Sequence, residues 1–311
     1  MANAIQSFLT QFLEYLEIEK NRSQLTVRNY DFYLHRFLEF AKITSPAQIT
    51  LEKVRQFRLY LNHLAVNGKP LKKSTQNYHI IALRSFLKFL AKRDVKALAA
   101  EKLELMKIGE RSVDFLEGFD LERILDAPLK AKSAQVIRLR DRAILELLFS
   151  TGLRVSELAN LKTDSINLKR DEFTVRGKGD KPRVVFLSNQ ARSAISKYLA
   201  ERMDQSPYLF VSHDRAVKAR EGDREEKPLT PRSVQRMVEK YAKAAGLTKH
   251  VTPHTLRHSY ATDLLMNGAD IRSVQAMLGH ASINTTQIYT HVTNRQLRDV
   301  HKAFHGRQRK S

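Results

Sequence analysis

Residues 173–186 read Phe173-Thr-Val-Arg-Gly-Lys-Gly-Asp-Lys-Pro-Arg-Val-Val-Phe186 and carry a hairpin signal. The runs Phe173-Thr174-Val175 and Val184-Val185-Phe186 consist of β-branched and aromatic residues, which favour extended strands. Between them, Gly177-Lys178-Gly179-Asp180 has the composition of a tight turn. The sequence therefore predicts a short antiparallel sheet in the second half of the chain.

Outside this hairpin the apolar pattern is mainly helical. From Ala4 to about Arg93, large apolar side chains recur at helical spacing. The pattern is interrupted by turn-forming residues at Asn21-Arg22-Ser23, Ser45-Pro46 and Asn67-Gly68-Lys69-Pro70. Four helices are therefore predicted, and together they form a compact all-α domain over residues 1–93.

A change of composition marks the end of this first domain. The segment 94–113 is rich in charge and poor in large apolar residues, and its single glycine allows it to be partly helical. We interpret it as a connector to a second domain over residues 114–311. The predicted fold class is mainly α, with a four-helix domain followed by a mostly helical domain that contains the small antiparallel sheet.

Helices are also predicted at several places in the second domain. The first two lie near residues 119–127 and 139–150, and Thr151-Gly152 has the pattern of a helix C-cap. Beyond residue 190 the periodicity is again helical. The charged segment 213–227 interrupts it, and we expect an exposed loop there.

Positive charge is distributed over both predicted domains. The chain has 54 Lys and Arg against 33 Asp and Glu, a formal net charge of +21. Residues 1–110 contribute +8 of this excess and the remaining residues +13. The charge predicts a polyanionic partner, above all nucleic acid, and its distribution favours two domains that bind the same duplex. Two domains with solvated basic faces are the alternative that charge alone leaves open.

Composition also limits the cellular compartments in which the protein is expected and the kinds of chemical site that it can form. No uninterrupted apolar stretch approaches the roughly 20 residues of a membrane-spanning helix. The first 20 residues, MANAIQSFLTQFLEYLEIEK, have acidic side chains and helical spacing, unlike a signal peptide. Zero cysteine excludes disulfides, thiolate metal sites and cysteine nucleophiles. We expect a cytoplasmic protein with no membrane partner.

Four separated segments combine residues that could perform chemistry. They are Thr151-Gly-Leu-Arg-Val-Ser-Glu-Leu158, Gly177-Lys-Gly-Asp-Lys-Pro-Arg183, Thr252-Pro-His-Thr-Leu-Arg-His258, and Leu278-Gly-His280 with Tyr289 nine residues later. Each has an ordinary explanation by itself. An isolated arginine is usually a surface charge, Gly-Lys-Gly is usually a turn with a solvated lysine, and a tyrosine is usually a packing residue. Only their ordered combination indicates a common site.

In this order and at these separations, the four segments resemble the catalytic signature of tyrosine recombinases. The stretch from Phe8 to Phe40, with Thr26-Val-Arg-Asn-Tyr30, is similar to the core-binding domain of the bacterial Xer proteins, and residues 285–305 resemble their C-terminal tail. The resemblance covers nearly the whole chain and is weakest at the connector and at 213–227. It implies a C-shaped DNA clamp, with a SAM-like core-binding domain at 1–93 and a catalytic domain with a tail helix at 114–311.

The resemblance further implies six catalytic residues: two arginines that hold the scissile phosphate, a hairpin lysine, two histidines and a tyrosine nucleophile. In chain order they are Arg154, Lys178, His254, Arg257, His280 and Tyr289. Phosphodiester exchange suits these residue types, because guanidinium groups bind the nonbridging oxygens through paired hydrogen bonds. The lysine, flanked by two glycines, could protonate the leaving 5′ oxygen.

Helix ends are expected to assist the two histidines. Thr252-Pro253 is the pattern of an N-cap followed by proline at the first helical position. His254 and Arg257 then share a helix face at its positive end, which favours a phosphate and disfavours an imidazolium. His280, after a cap at Gly279, could contact the same phosphate from a second helix terminus.

A metal site is the alternative interpretation of His254 and His258, which lie four residues apart. The glutamate of a zinc-protease helix is absent, no cysteine or carboxylate cluster accompanies the pair, and nearby arginines would repel a cation. We therefore predict no metal and no cofactor. His258 is expected to be a structural, hydrogen-bonded side chain, and Glu157 a carboxylate that orients an arginine.

The predicted reaction is a metal-free, ATP-independent transesterification in which Tyr289 forms a 3′-phosphotyrosine and releases a 5′ hydroxyl. The resemblance implies a homo- or hetero-tetramer on two double-stranded DNA sites, which exchanges strands through a Holliday junction. Chromosome or plasmid dimer resolution is the expected role, with a second Xer recombinase and a DNA translocase as further partners. A mobile-element integrase, a type IB topoisomerase and an inactive DNA-binding regulator remain alternatives.

Overall fold

The chain forms two compact units, each with its own hydrophobic core. A computed structural model describes residues 4–66, 68–109, 114–177, 181–213, 227–280, 282–283 and 286. The units comprise Met1–Glu110 and Arg111–Ser311. Most described residues are helical, and the two small sheets are antiparallel. The predicted fold class, mainly α with a small antiparallel sheet in the second half, is confirmed.

Four helices build the first unit, and they are separated at the predicted breaks. They are α1 (Ala4–Glu17), α2 (Gln24–Phe40), α3 (Leu51–His63) and α4 (Lys73–Ala91). Hydroxyl caps begin two of them, because Ser23 accepts the backbone N–H of Thr26 and Thr50 accepts that of Lys53. The predicted apolar stripes meet in one core, whose most buried aromatic side chains are Phe12, Phe37, Phe57, Phe86 and Phe89.

A miniature hairpin occupies the third predicted break. Strands β1 (Ala65–Val66) and β2 (Lys69–Pro70) pair antiparallel. Gly68 between them has a φ of 72°, a conformation that glycine adopts without a Cβ clash. The turn residues were predicted, but the two-residue strands were not, since so short a ladder leaves no alternating apolar pattern.

Most of the predicted connector is part of the first unit and packs against its helices. Ala100 and Leu103 are buried in its core, at either end of a single 3-10 turn. The amide of Asn77 on α4 donates to the carbonyl of Met106 at 2.9 Å and accepts its N–H at 3.0 Å. Two apolar side chains and one amide therefore anchor a segment that is highly charged on average.

The second unit combines seven helices with the predicted hairpin among its described residues. The helices are α5 (Gly118–Asp126), α6 (Gln135–Thr151), α7 (Val155–Ala159), α8 (Asn189–Glu201), α9 (Pro231–Ala244), α10 (Pro253–Met266) and α11 (Ile271–Leu278). Strands β3 (Glu172–Arg176) and β4 (Pro182–Phe186) pair antiparallel, with Glu172 opposite Phe186 and Arg176 opposite Pro182. The hairpin prediction is thus confirmed in position and direction.

Helix α6 is the central element of this unit and packs against α8 and α10. Its buried side chains include Ile144, Leu147 and Leu148. One charge within it, Asp141, is 3% exposed and accepts hydrogen bonds from Arg140 and from the Tyr241 hydroxyl at 2.8 Å. This pairing satisfies a carboxylate that would otherwise destabilise the core.

Two predicted segments fall largely outside the described residues. They are the exposed loop at 213–227, of which only the ends are described, and the tail helix after Tyr289. Across the part of the chain that is described, no helix has the length and apolarity needed to cross a membrane.

Candidate active site

Two helix C-termini form the frame of the candidate site. Helices α6 and α11 end at Gly152 (φ 59°) and Gly279 (φ 63°), both in the left-handed conformation. A Cβ at Gly152 would lie 2.5 Å from Cδ1 of Tyr260, and one at Gly279 would lie 2.9 Å from Cδ of Arg183. Glycine is therefore required at both caps by conformation and by space. The caps predicted at these positions are confirmed.

Arg257 on α10 connects the two helix ends. Its Nη1 donates to the carbonyl of Gly152, and its Nη2 donates to the carbonyl of Leu278 at 2.6 Å. The residue is only 4% exposed. Carbonyls at helix C-termini lack intrahelical partners and carry the negative end of the helix dipole, so a guanidinium stabilises them. This binding fixes the position of Arg257.

Arg154 reaches the same frame from the start of α7. Its Nη2 donates to the carbonyl of Gly279 at 3.1 Å, and its Nη1 donates to Oε1 of Glu157 at 2.8 Å. Its side chain is 27% exposed, so part of the guanidinium meets solvent. The structure thus brings Arg154 and Arg257, which are about a hundred residues apart in sequence, to adjacent carbonyls at the end of α11.

His280 follows the Gly279 cap and contacts Arg257 directly. Nη2 of Arg257 lies 3.1 Å from Nε2 of His280, and Nδ1 of His280 lies 3.1 Å from Oγ1 of Thr286. Burial lowers the pKa of His280 to about 4, and the charges of Arg257 and Arg154 act in the same direction. His280 is therefore neutral near pH 7.

Glu157, three residues after Arg154, holds two arginines at once. Its Oε2 accepts the backbone N–H of Arg154 at 2.9 Å, and its two oxygens accept from Arg183 at 2.9 and 2.7 Å. Burial would raise the pKa of Glu157, but hydrogen bonds from Arg183 and Arg154 lower it to about 2. The carboxylate is permanently charged at neutral pH, and the expectation that it orients an arginine is confirmed.

The start of α10 has the capping geometry that its sequence predicts. Thr252 Oγ1 accepts the backbone N–H of Thr255 at 3.2 Å, and Pro253 occupies the first helical position. His254 is exposed at this positive helix end, whereas Arg257 is buried one turn later. The two residues therefore share a helix end while differing in their access to solvent.

Two of the six predicted catalytic residues, Lys178 and Tyr289, lie outside the described residues. The chain can nevertheless be followed to Gly177, the residue before the lysine. A Cβ at Gly177 would lie 3.6 Å from Nη1 of Arg154 and 3.3 Å from Nη1 of Arg183. Gly177, the last described residue after strand β3, thus lies beside the guanidinium groups of Arg154 and Arg183.

Arg183 also lies in the site, although no role was predicted for it from the sequence. It lies on β4, and its side chain is only 8% exposed, against Glu157. A signal was present, because strand alternation places Arg183 on the same face as the buried Val185. A charged residue on the inner face of a strand needs a buried partner of opposite charge.

The assembled site is suited to an anion of modest size. The site combines the guanidinium groups of Arg154, Arg183 and Arg257 with one carboxylate, that of Glu157, which pairs with Arg154 and Arg183, so two positive charges are in excess while His280 is neutral. Beside Arg154 opens a cleft of about 900 Å³, whose walls include Lys162 and Arg176. Such an arrangement can bind a phosphodiester and stabilise the additional charge that develops during its exchange. Within the described residues, no three His, Asp or Glu side chains cluster in a way that could hold a metal ion.

Two family models match the chain, one over the larger part of each unit. Residues 114–296 match the phage integrase family, and residues 9–94 match the phage integrase N-terminal SAM-like domain. The chain is 37% identical to the tyrosine recombinase XerC of Thermodesulfovibrio yellowstonii, covering 96% of each protein. It is 39% identical to the tyrosine recombinase XerA of Pyrococcus horikoshii, covering 94% of this chain and 91% of the relative.

Solved structures show the same relationship. The crystal structure of the XerH site-specific recombinase bound to difH substrate in a pre-cleavage complex is 26% identical, with a TM-score of 0.69, covering 94% of this chain and 83% of that one. The crystal structure of the XerA recombinase is 31% identical with a TM-score of 0.52, covering 97% of this chain and 99% of that one. The chain therefore belongs to the phage integrase family and, within it, to the site-specific tyrosine recombinases of the Xer type.

Proposed function

We propose that this chain cuts and rejoins double-stranded DNA through a covalent tyrosine intermediate, with Arg154 and Arg257 holding the scissile phosphate. The observation that supports this most strongly is the convergence of Arg154, Arg257 and His280 on the ends of α6 and α11. Arg257 is immobilised by two carbonyls, while Arg154 is partly open to solvent. A rigid donor beside an accessible donor is suited to bind a phosphate without reorganisation at the moment of reaction.

Tyr289 is the proposed nucleophile and Lys178 the proposed general acid. The tyrosyl oxygen attacks phosphorus, the bond from phosphorus to the 5′ oxygen breaks, and the lysine ammonium gives its proton to that oxygen. The phosphotyrosine preserves the energy of the phosphodiester, so a 5′ hydroxyl of a second strand can reverse the reaction. Neither ATP nor a metal ion is needed to balance these steps.

The two histidines have different proposed roles. Nε2 of His280 accepts from Arg257, so its lone pair is engaged and the residue acts as a neutral hydrogen-bonding group. His254 is exposed at the N-terminus of α10, one turn before the buried Arg257, and its imidazole is therefore accessible to a substrate. We therefore assign His254 as the residue that accepts the tyrosyl proton.

The proposed partner is a specific duplex site bound by both units. The first unit, including the core-binding domain proposed at 1–93, contributes +8 of the net charge, and the catalytic domain proposed at 114–311 carries most of the rest. Relatives named XerC, XerD and XerA, and a XerH structure bound to difH, support DNA as the substrate. Four protomers would exchange strands through a Holliday junction in the cytoplasm, in chromosome or plasmid dimer resolution, together with a second Xer recombinase and a DNA translocase.

Covalent trapping on a nicked suicide substrate tests the nucleophile. We expect the parent chain to form a protein–DNA adduct in the presence of a chelator, and Tyr289→Phe to bind the same DNA without forming one, because only the hydroxyl is removed. An adduct of Tyr289→Phe at parental yield would overturn the assignment. A strict magnesium requirement for cleavage would overturn the metal-free mechanism.

Product analysis on DNA with two sites then tests the reaction class. Strand exchange between the sites supports a recombinase. Religation of only the original strands, with relaxation of supercoils, would indicate topoisomerase-like chemistry, and binding with no adduct from the parent chain would indicate an inactive regulator.

A further inference from the structure

Arg183 and Glu157 form a bidentate ion pair that is in contact with Arg154. Nη1 of Arg183 donates to Oε1 at 2.9 Å and Nη2 donates to Oε2 at 2.7 Å, so the two planar groups lie side by side. The same oxygens accept from Arg154, Oε1 from its Nη1 at 2.8 Å and Oε2 from its backbone N–H at 2.9 Å. Each carboxylate oxygen therefore binds one donor from Arg183 and one from Arg154.

We propose that Arg183 is a positioning residue for strand cleavage, which fixes the Glu157 carboxylate and thereby holds the Arg154 guanidinium at the phosphate. This inference rests on the phosphate-binding role proposed above for Arg154. The side chain of Arg183 is 8% exposed and that of Arg154 is 27% exposed. Arg154 can thus reach DNA, whereas Arg183 affects the position of Arg154 through Glu157, the partner that they share.

The surroundings of Arg183 accommodate a guanidinium closely. Gly279 leaves the space that Cδ of Arg183 occupies, 2.9 Å from where a Cβ would stand, and Gly177 leaves the space beside Nη1. A lysine at this position could reach only one carboxylate oxygen at a time, because its ammonium is a single point of donation. The second oxygen would lose a buried partner, and Glu157 would be free to rotate.

Loss of Arg183 also changes the titration of the site. Burial favours protonation of Glu157, and Arg183 provides one of the hydrogen bonds that hold its pKa at about 2. Without Arg183 the pKa of Glu157 rises, and its protonated form accepts less strongly from Arg154. The charges of Arg257, Arg154 and Arg183 also lower the pKa of His280, so this pKa rises as well. As the pH is lowered, cleavage by a variant that lacks Arg183 should therefore begin to decline at a higher pH than cleavage by the parent.

Single-turnover cleavage of a nicked suicide substrate at saturating DNA tests the proposal, with the full chain and a series of pH values. Arg183→Gln should cleave roughly 10²-fold more slowly, the cost of a misplaced binding group, while its half-site binding is nearly unchanged. Arg183→Lys should recover part of the rate. In a Glu157→Gln background, Arg183→Gln should cause little further loss of cleavage rate, because both changes remove the same interaction.

Arg202→Gln is the matched control, since Arg202 forms another buried pair, with Asp204. This variant should lose stability but keep the parental cleavage rate and pH profile below its unfolding temperature. If Arg183 were only structural, Arg183→Gln would likewise keep the parental cleavage rate and pH profile, or its effect on the rate would add to that of Glu157→Gln. Either result would overturn the proposal. If Arg183→Gln does not fold, the rate and pH profile of Arg183→Lys decide by the same criteria.

Tyr289→Phe, assayed in parallel, separates the two levels of the proposal. An adduct from Tyr289→Phe would show that the proposed nucleophile is wrong, whatever Arg183 does. An inert Tyr289→Phe beside an Arg183→Gln that cleaves like the parent would leave the proposed function intact and reject only the role of Arg183.

Discussion

Nη2 of Arg257 lies 3.1 Å from Nε2 of His280, and this contact defines the tautomer of the imidazole. Arginine can only donate, so Nε2 accepts, Nδ1 carries the proton, and the Nδ1–H group donates a hydrogen bond to Oγ1 of Thr286 at 3.1 Å. Protonation of Nε2 would replace this hydrogen bond by repulsion between two cations. The neutral state of His280 is thus a consequence of burial together with the neighbouring charge of Arg257.

The first prediction concerns stability against pH. His280 takes up a proton below about 6.5 in the unfolded chain but only below about 4 in the folded chain. Between these values the unfolded state binds more protons, so the free energy of unfolding should fall as the pH falls from about 6.5 to about 4. His280→Gln should reduce this dependence by up to one proton, as measured by urea denaturation across that range. An unchanged slope would contradict the neutral, arginine-bound imidazole.

The second prediction concerns the cap at Gly152. Gly152→Ala combines a strained positive φ with a Cβ 2.5 Å from Cδ1 of Tyr260. Overpacking of this kind costs about 1–3 kcal/mol, and cleavage should fall because the Gly152 carbonyl that holds Arg257 must shift. Gly268→Ala is the control, since Gly268 has a φ of 96° with open space around its Cβ position. In denaturation assays Gly268→Ala should show only the loss of stability that comes from backbone strain. In cleavage assays the folded Gly268→Ala protein should cleave at the parental rate.

The third prediction concerns Lys178. Lys178→Ala should cleave normal DNA roughly 10²- to 10⁴-fold more slowly, the usual contribution of a general acid. A substrate with sulfur in place of the 5′ bridging oxygen should restore most of the rate, because a thiolate leaves without protonation. Equal impairment of this variant on both substrates would instead assign Lys178 to phosphate binding.

The fourth prediction concerns the segment after the nucleophile. Val292, Leu297, Val300 and Phe304 recur at approximately helical spacing, which predicts a helix with one apolar stripe. We expect this helix to dock on a neighbouring protomer and to couple the placement of Tyr289 between subunits. The commoner alternative for such a stripe is packing on its own domain.

Deletion from Leu297 onward distinguishes these two arrangements. Binding of one protomer to a half-site should persist, while cooperative filling of the full site weakens and strand exchange is lost. Gel-shift titrations of half-site and full-site DNA measure both effects. Unchanged cooperativity in a folded truncation would show that the helix packs within its own subunit.

Local physical chemistry accounts for what the sequence by itself determined. The four N-terminal helices, the hairpin at 172–186, the caps at Gly152 and Gly279, and the start of α10 at Thr252 all follow from periodicity, turn composition and capping. Each depends on interactions among residues close in the chain, and for that reason their patterns are visible without a structure. The resemblance to the recombinase family added the identities of the expected catalytic residues.

Only the tertiary structure decided how those residues meet. Arg257 bonds to Gly152 and Leu278, and Arg183 bonds to Glu157 across 26 positions of sequence. No periodicity encodes such contacts, because they depend on where α6, α10, α11 and the hairpin end in space. The low pKa values of His280 and Glu157 arise from the same packing, since burial and neighbouring charges are properties of the folded chain. The sequence thus predicts which groups react, and the fold sets the charge of Glu157 and His280 and the orientation of Arg154 and Arg257.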